Sequence, residues 1–262
     1  MEKSFCLVVL GLGLVMVCQI GLTAPIDIEK AEIAYLFEEG KGKVAKDASN
    51  NKRNGSLESG VKYGPGKFGT GLVYDGKDDN LIVKGYHGIG GQDPRTVLYW
   101  FKSESAREHS WVKWGPNVAT KKYYVRAHVA GAKCWLRVEN NGGNNWGDVD
   151  VCDGKWHHHA VVFPNKAKDV QDHNIYVDGK LNGKAGAANP MDTDDKAQEV
   201  VMGDFLAHHV FMHGSFDEVA VFSVDLTVKQ IQLIMTQGLA SALSIEPRDK
   251  LSTNWAAIKA VY

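Results

Sequence analysis

The stretch Asn174 to Gly183 (NIYVDGKLNG) constrains the fold more than any other part of the chain. Ile175-Tyr176-Val177 is a β-branched and aromatic run, Asp178-Gly179 turns the chain, and Lys180-Leu181 leads back. Asp-Gly between strand formers marks a tight β-hairpin, because the turn needs positive φ and glycine supplies it without steric cost. Three other stretches read as strands of the same kind of protein: Gly69 to Val83 (GTGLVYDGKDDNLIV), Trp156 to Phe163 (WHHHAVVF) and Gly214 to Leu226 (GSFDEVAVFSVDL). With 28 glycines against 7 prolines in 262 residues, the composition favours many turns over a disordered linker.

Further short strands are expected at Glu32 to Phe37, Thr96 to Lys102, Trp111 to Lys113, Tyr123 to Val129, Cys134 to Val138, Val149 to Val151 and Val200 to Met202. The period then changes. Val228, Ile231, Leu233, Ile234 and Met235 form a helical stripe within Thr227 to Leu239, with Asp225 or Thr227 as its cap. Many short strands and one late helix, without a repeat of solenoid length, predict an all-β fold. The expected form is a two-sheet antiparallel jelly-roll sandwich with one short C-terminal helix.

Phe5 to Leu22 is apolar, follows Lys3, and ends at the small residues Thr23-Ala24. Residues 1–24 therefore read as a signal peptide or, if retained, an N-terminal anchor, since the run is close to the shortest that spans a bilayer. The domain would occupy residues 25–240, with a tail at 241–262. The expected location is secreted or cell surface, with the membrane as a partner only if the leader stays. A net charge of −1 and no Lys/Arg block give no footprint for nucleic acid. Without the leader, Cys134 and Cys152 remain, in a chain exported to where disulfides persist. Folding about Gly143, in the turn-rich run Asn140 to Asn145 (NNGGNN), places these two cysteines opposite each other. Two separately buried thiols are the alternative.

Phe68-Gly69-x-Gly71-Leu72-x-Tyr74-Asp75-Gly76 is followed by Asp153-Gly154-Lys155-Trp156-His157-His158, by Ile175-Tyr176-Val177-Asp178-Gly179, and by Gly214-x-Phe216-Asp217-Glu218-Val219-Ala220-Val221-Phe222. In this order and spacing the chain resembles the laminin-G-like, concanavalin A-like jelly-roll domains over roughly residues 31 to 240. The resemblance implies a structural calcium between an early Asp-x-Ser loop and the Asp of the late Asp-Glu pair. By position the ligands would be Asp47, Asn51, Asn54 and Asp217, calcium taking several oxygen ligands. The loop departs from the family pattern, with Asn50, Lys52 and Arg53 where glycines are usual. The alternative is that Asp47 and Asp217 cap turns and backbone amides.

The same fold carries lectins, adhesion modules, pentraxin-like proteins and glycosidases, so function has to be read from the site. Laminarinase-type glycosidases of this fold carry Glu-x-Asp-x-Glu on a strand, and this chain contains no Glu-x-Asp. Asp217 and Glu218 are adjacent, so a strand directs them to opposite faces. A Gly-x-Ser-x-Gly elbow, a phosphate loop and a dinucleotide fingerprint are missing. His157 and His159 share a strand face, but a zinc site would need a third ligand from His208, His209 or His213. The expectation is a non-catalytic protein. Sugar sites stack aromatic rings and surround them with Asn and Asp. Trp114, Tyr124, Asn144 and Trp146 are the candidate ligand-binding residues, whereas Trp135 and Trp156 read as core. The expected function is an exported module that binds a glycan or an extracellular protein surface. A glycoside hydrolase with an atypical carboxylate pair and a structural cell-surface protein are the alternatives.

Overall fold

The computed structural model describes residues 26–193, 196–205 and 210–243. The leader at 1–24 and the tail beyond residue 243 lie outside the described residues. In chain order the strands are β1 (Ala31–Tyr35), β2 (Val44–Ala45), β3 (Gly55–Glu58), β4 (Lys62–Pro65), β5 (Thr70–Asp75), β6 (Asn80–Val83), β7 (Arg95–Lys102), β8 (Ser110–Trp114), β9 (Tyr123–Ala130) and β10 (Lys133–Glu139). They continue with β11 (Asn144–Trp146), β12 (Trp156–Phe163), β13 (Asn174–Val177), β14 (Lys180–Leu181), β15 (Lys184–Ala185), β16 (Val200–Met202), β17 (Asp204–Phe205), β18 (Val210–Phe211) and β19 (His213–Phe222). Two helices follow, α1 (Val228–Gln237) and the short α2 (Leu239–Leu243).

Two antiparallel sheets form the sandwich. The first runs β14-β13-β12-β7-β19-β5-β4, with β1 also on β19; the second runs β15-β11-β10-β9-β8-β16-β6-β3-β2. Alternation along each strand sends one set of side chains between the sheets. Val97, Tyr99, Phe101, Val161 and Phe216 from the first sheet meet Leu81, Val112, Val125, Leu136 and Val138 from the second. The hairpin at Asp178-Gly179 forms as expected. Its two central residues have φ of 51° and 69°, as a type I′ turn needs.

β7 is buried on both faces because the first sheet is covered on its outside. Leu98, Ala160, Ala220 and Phe222 pack there under Ile231 and Ile234 of α1 and Leu239 and Ala242 of α2, and Ile26 joins the same cluster. Helix α1 starts at a Thr227–Gln230 capping box and stops at Gly238, whose φ is 81°. Its N-cap is thus Thr227, one of the two residues expected.

At the start of β7 the guanidinium of Arg95 is fully buried. Nε donates to Asp93 O, Nη1 to Ile89 O and Thr193 Oγ1, and Nη2 to Gly90 O and Gly91 O. A guanidinium has five N–H groups, and all find an acceptor in the 89–93 loop or at Thr193.

One expected strand does not form. Val149 to Val151 lies in a loop, and the strand that pairs with β10 is Asn144–Trp146. The disulfide Cys134–Cys152 is present, with Cα atoms 5.6 Å apart. Its geometry is not that of a simple hairpin. The ladder pairs Arg137 with Trp146, so strict register would set Cys134 against Val149. Residues 147–151 leave the ladder instead, Val151 donates to Cys134 O, and the extra length brings Cys152 to its partner.

Candidate functional site

The outer faces of the two sheets differ. The middle strands of the first are covered by α1 and α2. On the second, β9 and β10 alternate between an inward apolar set and an outward set. Val125, Ala127, Leu136 and Val138 turn into the core. Tyr124, Arg126, His128, Trp135, Arg137 and Glu139 turn the other way. Register stacks them in rungs: His128 beside Trp135; Arg126, Arg137 and Trp146 in line; Tyr124, Glu139 and Asn144 in line.

Three rings cluster on this face. The His128 ring lies 5.6 Å from Trp135 and stacks on Trp146 at 5.7 Å. The far side of Trp146 is backed by residue 186, where a Cβ would come within 2.2 Å of the indole, so only glycine fits. Both tryptophans remain partly exposed. Beside them is a cavity of about 360 Å³ lined by Arg137, Glu139, Asn141, Gly142, Gly143 and Asn144. Asn140 holds its wall, accepting from Gly143 N and donating to Asn189 O and Pro190 O.

Charge on the face converges on Glu139. Lys122 Nζ lies 2.6 Å and Arg137 Nη2 2.8 Å from its carboxylate, with Arg126 Nη1 at 3.7 Å. Arg126 also pairs with Glu108. Burial alone would raise the Glu139 carboxyl, but Lys122, Arg137 and Arg126 together hold it below its ordinary value. Burial, and then Arg137 and Arg126, push the His128 imidazole down, so it is neutral at pH 7. Tyr124 forms the floor: it is fully buried, packs against Val210, and lies under Lys122 and Arg126.

Of the residues expected to bind ligand, the structure brings Tyr124, Asn144 and Trp146 to this face. Trp114 is elsewhere: its ring is fully buried between the sheets and stacks on Tyr123 at 3.9 Å. Val112 and Trp114 face inward by alternation, and the register shift between Ser110 and Val112 lets Trp111 face inward as well. The reverse correction applies to Trp135, expected in the core and found on the outer face. Arg126, His128, Arg137 and Glu139 went unnoticed in the sequence, although the strict alternation of YVRAH and CWLRVE carried the signal.

The residues assigned to calcium are engaged in hydrogen bonds of their own. Asp47 Oδ1 accepts from Ala34 N and Ser49 N, and Oδ2 from Ser49 Oγ and Arg53 N. Asn54 Oδ1 accepts from Asp47 N. Asn51 presents its amide nitrogen, a donor, to Ala31 O and Glu32 O. Asp217 is committed to a different turn, accepting from Lys67 N, Phe68 N and Glu218 N. Hydrogen bonds already balance the Asp47 charge, so the set as folded does not fit a calcium ion.

The carboxylates of the late pair face different elements. Asp217 holds the 66–69 turn, while Glu218, at a φ of 46°, accepts from Leu239 N at the start of α2. Burial raises Asp217 to about 6 and Glu218 to about 7. His157 and His159 do not share a ligand position. His157 bridges Asp178 and Asp153, and His159 packs on Tyr99 and Trp111. His208 and His209 lie outside the described residues.

A family model for the concanavalin A-like lectin/glucanases superfamily matches residues 75–232. No curated protein sequence matches the chain. Among solved structures, domain 4 of AbnA, a GH43 extracellular arabinanase from Geobacillus stearothermophilus in complex with arabinotriose, aligns with a TM-score of 0.58 at 16% identity. That alignment covers 79% of this chain and 98% of the arabinanase domain. The binding domain of botulinum neurotoxin DC in complex with rat synaptotagmin II aligns with a TM-score of 0.55 at 11% identity, covering 80% of this chain and 52% of the toxin chain. The same domain in complex with SialylT gives 0.54 at 10% identity, with the same shares covered. The chain thus spans about half the length of these toxin chains. At such identities the likeness is one of fold.

Proposed function

Because the chain belongs to the concanavalin A-like lectin/glucanases superfamily, we propose that it is a non-catalytic, exported module that binds glycan on the outer face of its second sheet. One observation carries the reading. The first sheet is covered by helices, whereas the second presents His128, Trp135 and Trp146 beside a cavity lined by Arg137, Glu139 and Asn144. Rings that stack on a pyranose face, framed by side chains that bond its hydroxyls, are the chemistry of a sugar site.

Two carboxylates described on this face speak against glycoside hydrolysis there. A general acid must hold a proton near neutral pH. Glu139 is instead kept ionised by three cations, and Glu108 is paired with Arg126. The disulfide and the extracellular arabinanase domain of like fold support an exported protein.

A glycan array probed with the purified protein tests the proposal. Trp146→Ala and Trp135→Ala are each expected to weaken the best glycan about tenfold or more, with folding intact. Failure of the folded protein to bind any glycan, or hydrolysis of a bound polysaccharide, would overturn it.

A further inference from the structure

Resting on the glycan reading, we propose that the sugar taken by this face is an acidic one, whose carboxylate or sulfate is received by Arg137 in the cavity beside Asn144. The argument starts from charge. The chain as a whole carries a net charge of −1. Around the cavity the balance is reversed. Lys122, Arg126 and Arg137 converge on one carboxylate, Glu139, Arg126 also pairs with Glu108, and Lys113 and Asp204 adjoin the same cluster about Tyr124. These four cations against three anions leave one positive charge in excess.

The excess is centred on Arg137. Lys122 has the shortest contact with Glu139, and Arg126 has Glu108 to itself, so Arg137 shares a carboxylate already held by two other cations. Its side chain is partly exposed, and a planar anion offers a guanidinium acceptors in matching geometry. Arg137 also lines the cavity and is in register with Trp146. A ring stacked on Trp146 would therefore bring a substituent over the arginine. A cavity of about 360 Å³ is enough for one monosaccharide with its acid group.

The neighbours fit this assignment. Glu139 is one of the least exposed members of the cluster and is screened by its cations, so it does not repel an anion at the cavity mouth. His128 adds no negative charge, and its Nδ1 accepts from Arg137 Nη1. The tip of the β10–β11 turn, Asn141 to Gly143, carries no acidic residue.

Titration calorimetry with matched pairs of oligosaccharides provides the test. The probes are glucuronate-containing, galacturonate and sialylated oligosaccharides, each set against its carboxyl-reduced counterpart, with sulfated oligosaccharides as a separate arm. The acidic member of at least one pair is expected to bind about tenfold or more tighter than its reduced partner, and to weaken as salt is raised. The carboxylated and sulfated arms identify which anion is preferred. Arg137→Gln should abolish the preference for the acidic member while leaving weak binding of the neutral one, and Arg137→Lys should restore part of it. Trp146→Ala should weaken both. Equal binding of acidic and neutral members, or a preference that survives Arg137→Gln, would overturn the proposal and leave the glycan reading standing. Failure of every member to bind would remove both.

Discussion

Four buried histidines make the fold sensitive to acid, by an amount the structure allows to be worked out. His109 is lowered by burial to about 4, His158 and His173 to about 3, and His159 well below its ordinary value. Each is neutral in the folded protein and takes up a proton once unfolded, so each loses stabilising effect as pH falls below about 6.5. Between pH 7 and pH 5 the loss is about 1.9 kcal/mol per histidine, or about 7.5 kcal/mol for the four. Two carboxyls act in the opposite sense. Glu218 and Asp217 are raised to about 7 and about 6, so over the same interval they become protonated in the folded state first. They return about 2 and about 1.3 kcal/mol. His157, raised by Asp178 and Asp153 against its burial, also returns a part. The net expectation is a loss of up to about 4 kcal/mol, steepening below pH 5 once the unfolded carboxyls titrate too. Urea unfolding at a series of pH values measures it directly. His158→Phe, which keeps a ring beside Trp100, should remove about 2 kcal/mol of the pH-dependent loss, and Glu218→Gln should increase the loss by about the same. If stability is flat from pH 7 to pH 5, or if neither variant changes the slope, the reasoning from burial fails.

Three further expectations follow from groups described above. Arg95→Met leaves four carbonyls and Thr193 without their shared donor; it should cost about 3–5 kcal/mol in urea unfolding, and a loss under 1 kcal/mol would show that the 89–93 loop does not depend on the cation. Replacing both Cys134 and Cys152 with serine opens a loop with a sequence separation of 18 and should lower stability by about 3 kcal/mol, an effect that reductant reproduces in the unaltered protein. Asp47→Ala orphans four donors and should cost about 3–5 kcal/mol by thermal or chemical unfolding. Calcium and chelator should leave the melting temperature of both forms unchanged; a calcium-dependent rise in the unaltered protein would place an ion where hydrogen bonds are described.

What could be read from the sequence was local in origin. Asp178-Gly179 specifies its turn by φ alone, and Trp156 to Phe163 reads as a strand by its residues. The late helix carries its cap at Thr227 and its stop at Gly238. Where the reading failed, the cause was a contact distant in sequence or an irregularity without a composition signal. The bulge near the start of β8 adds Trp111 to the core and has no signature in SWVKW, whereas the inward position of Trp114 follows from the alternation Val112-Lys113-Trp114. Trp135 looked like core because tryptophans usually are; its outward position follows from pairing with β9, where its partner is His128. The Cys134–Cys152 link was foreseen, but from a hairpin closed about Gly143, whereas the ladder ends earlier and a loop makes up the difference. The residues read as a calcium set are described in hydrogen bonds of their own, Asp47 and Asp217 chiefly to backbone amides that no short motif foretells.

The layer over the first sheet has a bearing on how the domain is presented. Ile26 and Leu239, near the two ends of the described chain, belong to the same helix-side cluster, and Leu243 packs against it. Both points of departure are therefore at the back of the molecule. A fusion made at either described end would therefore begin on the side opposite Trp135 and Trp146.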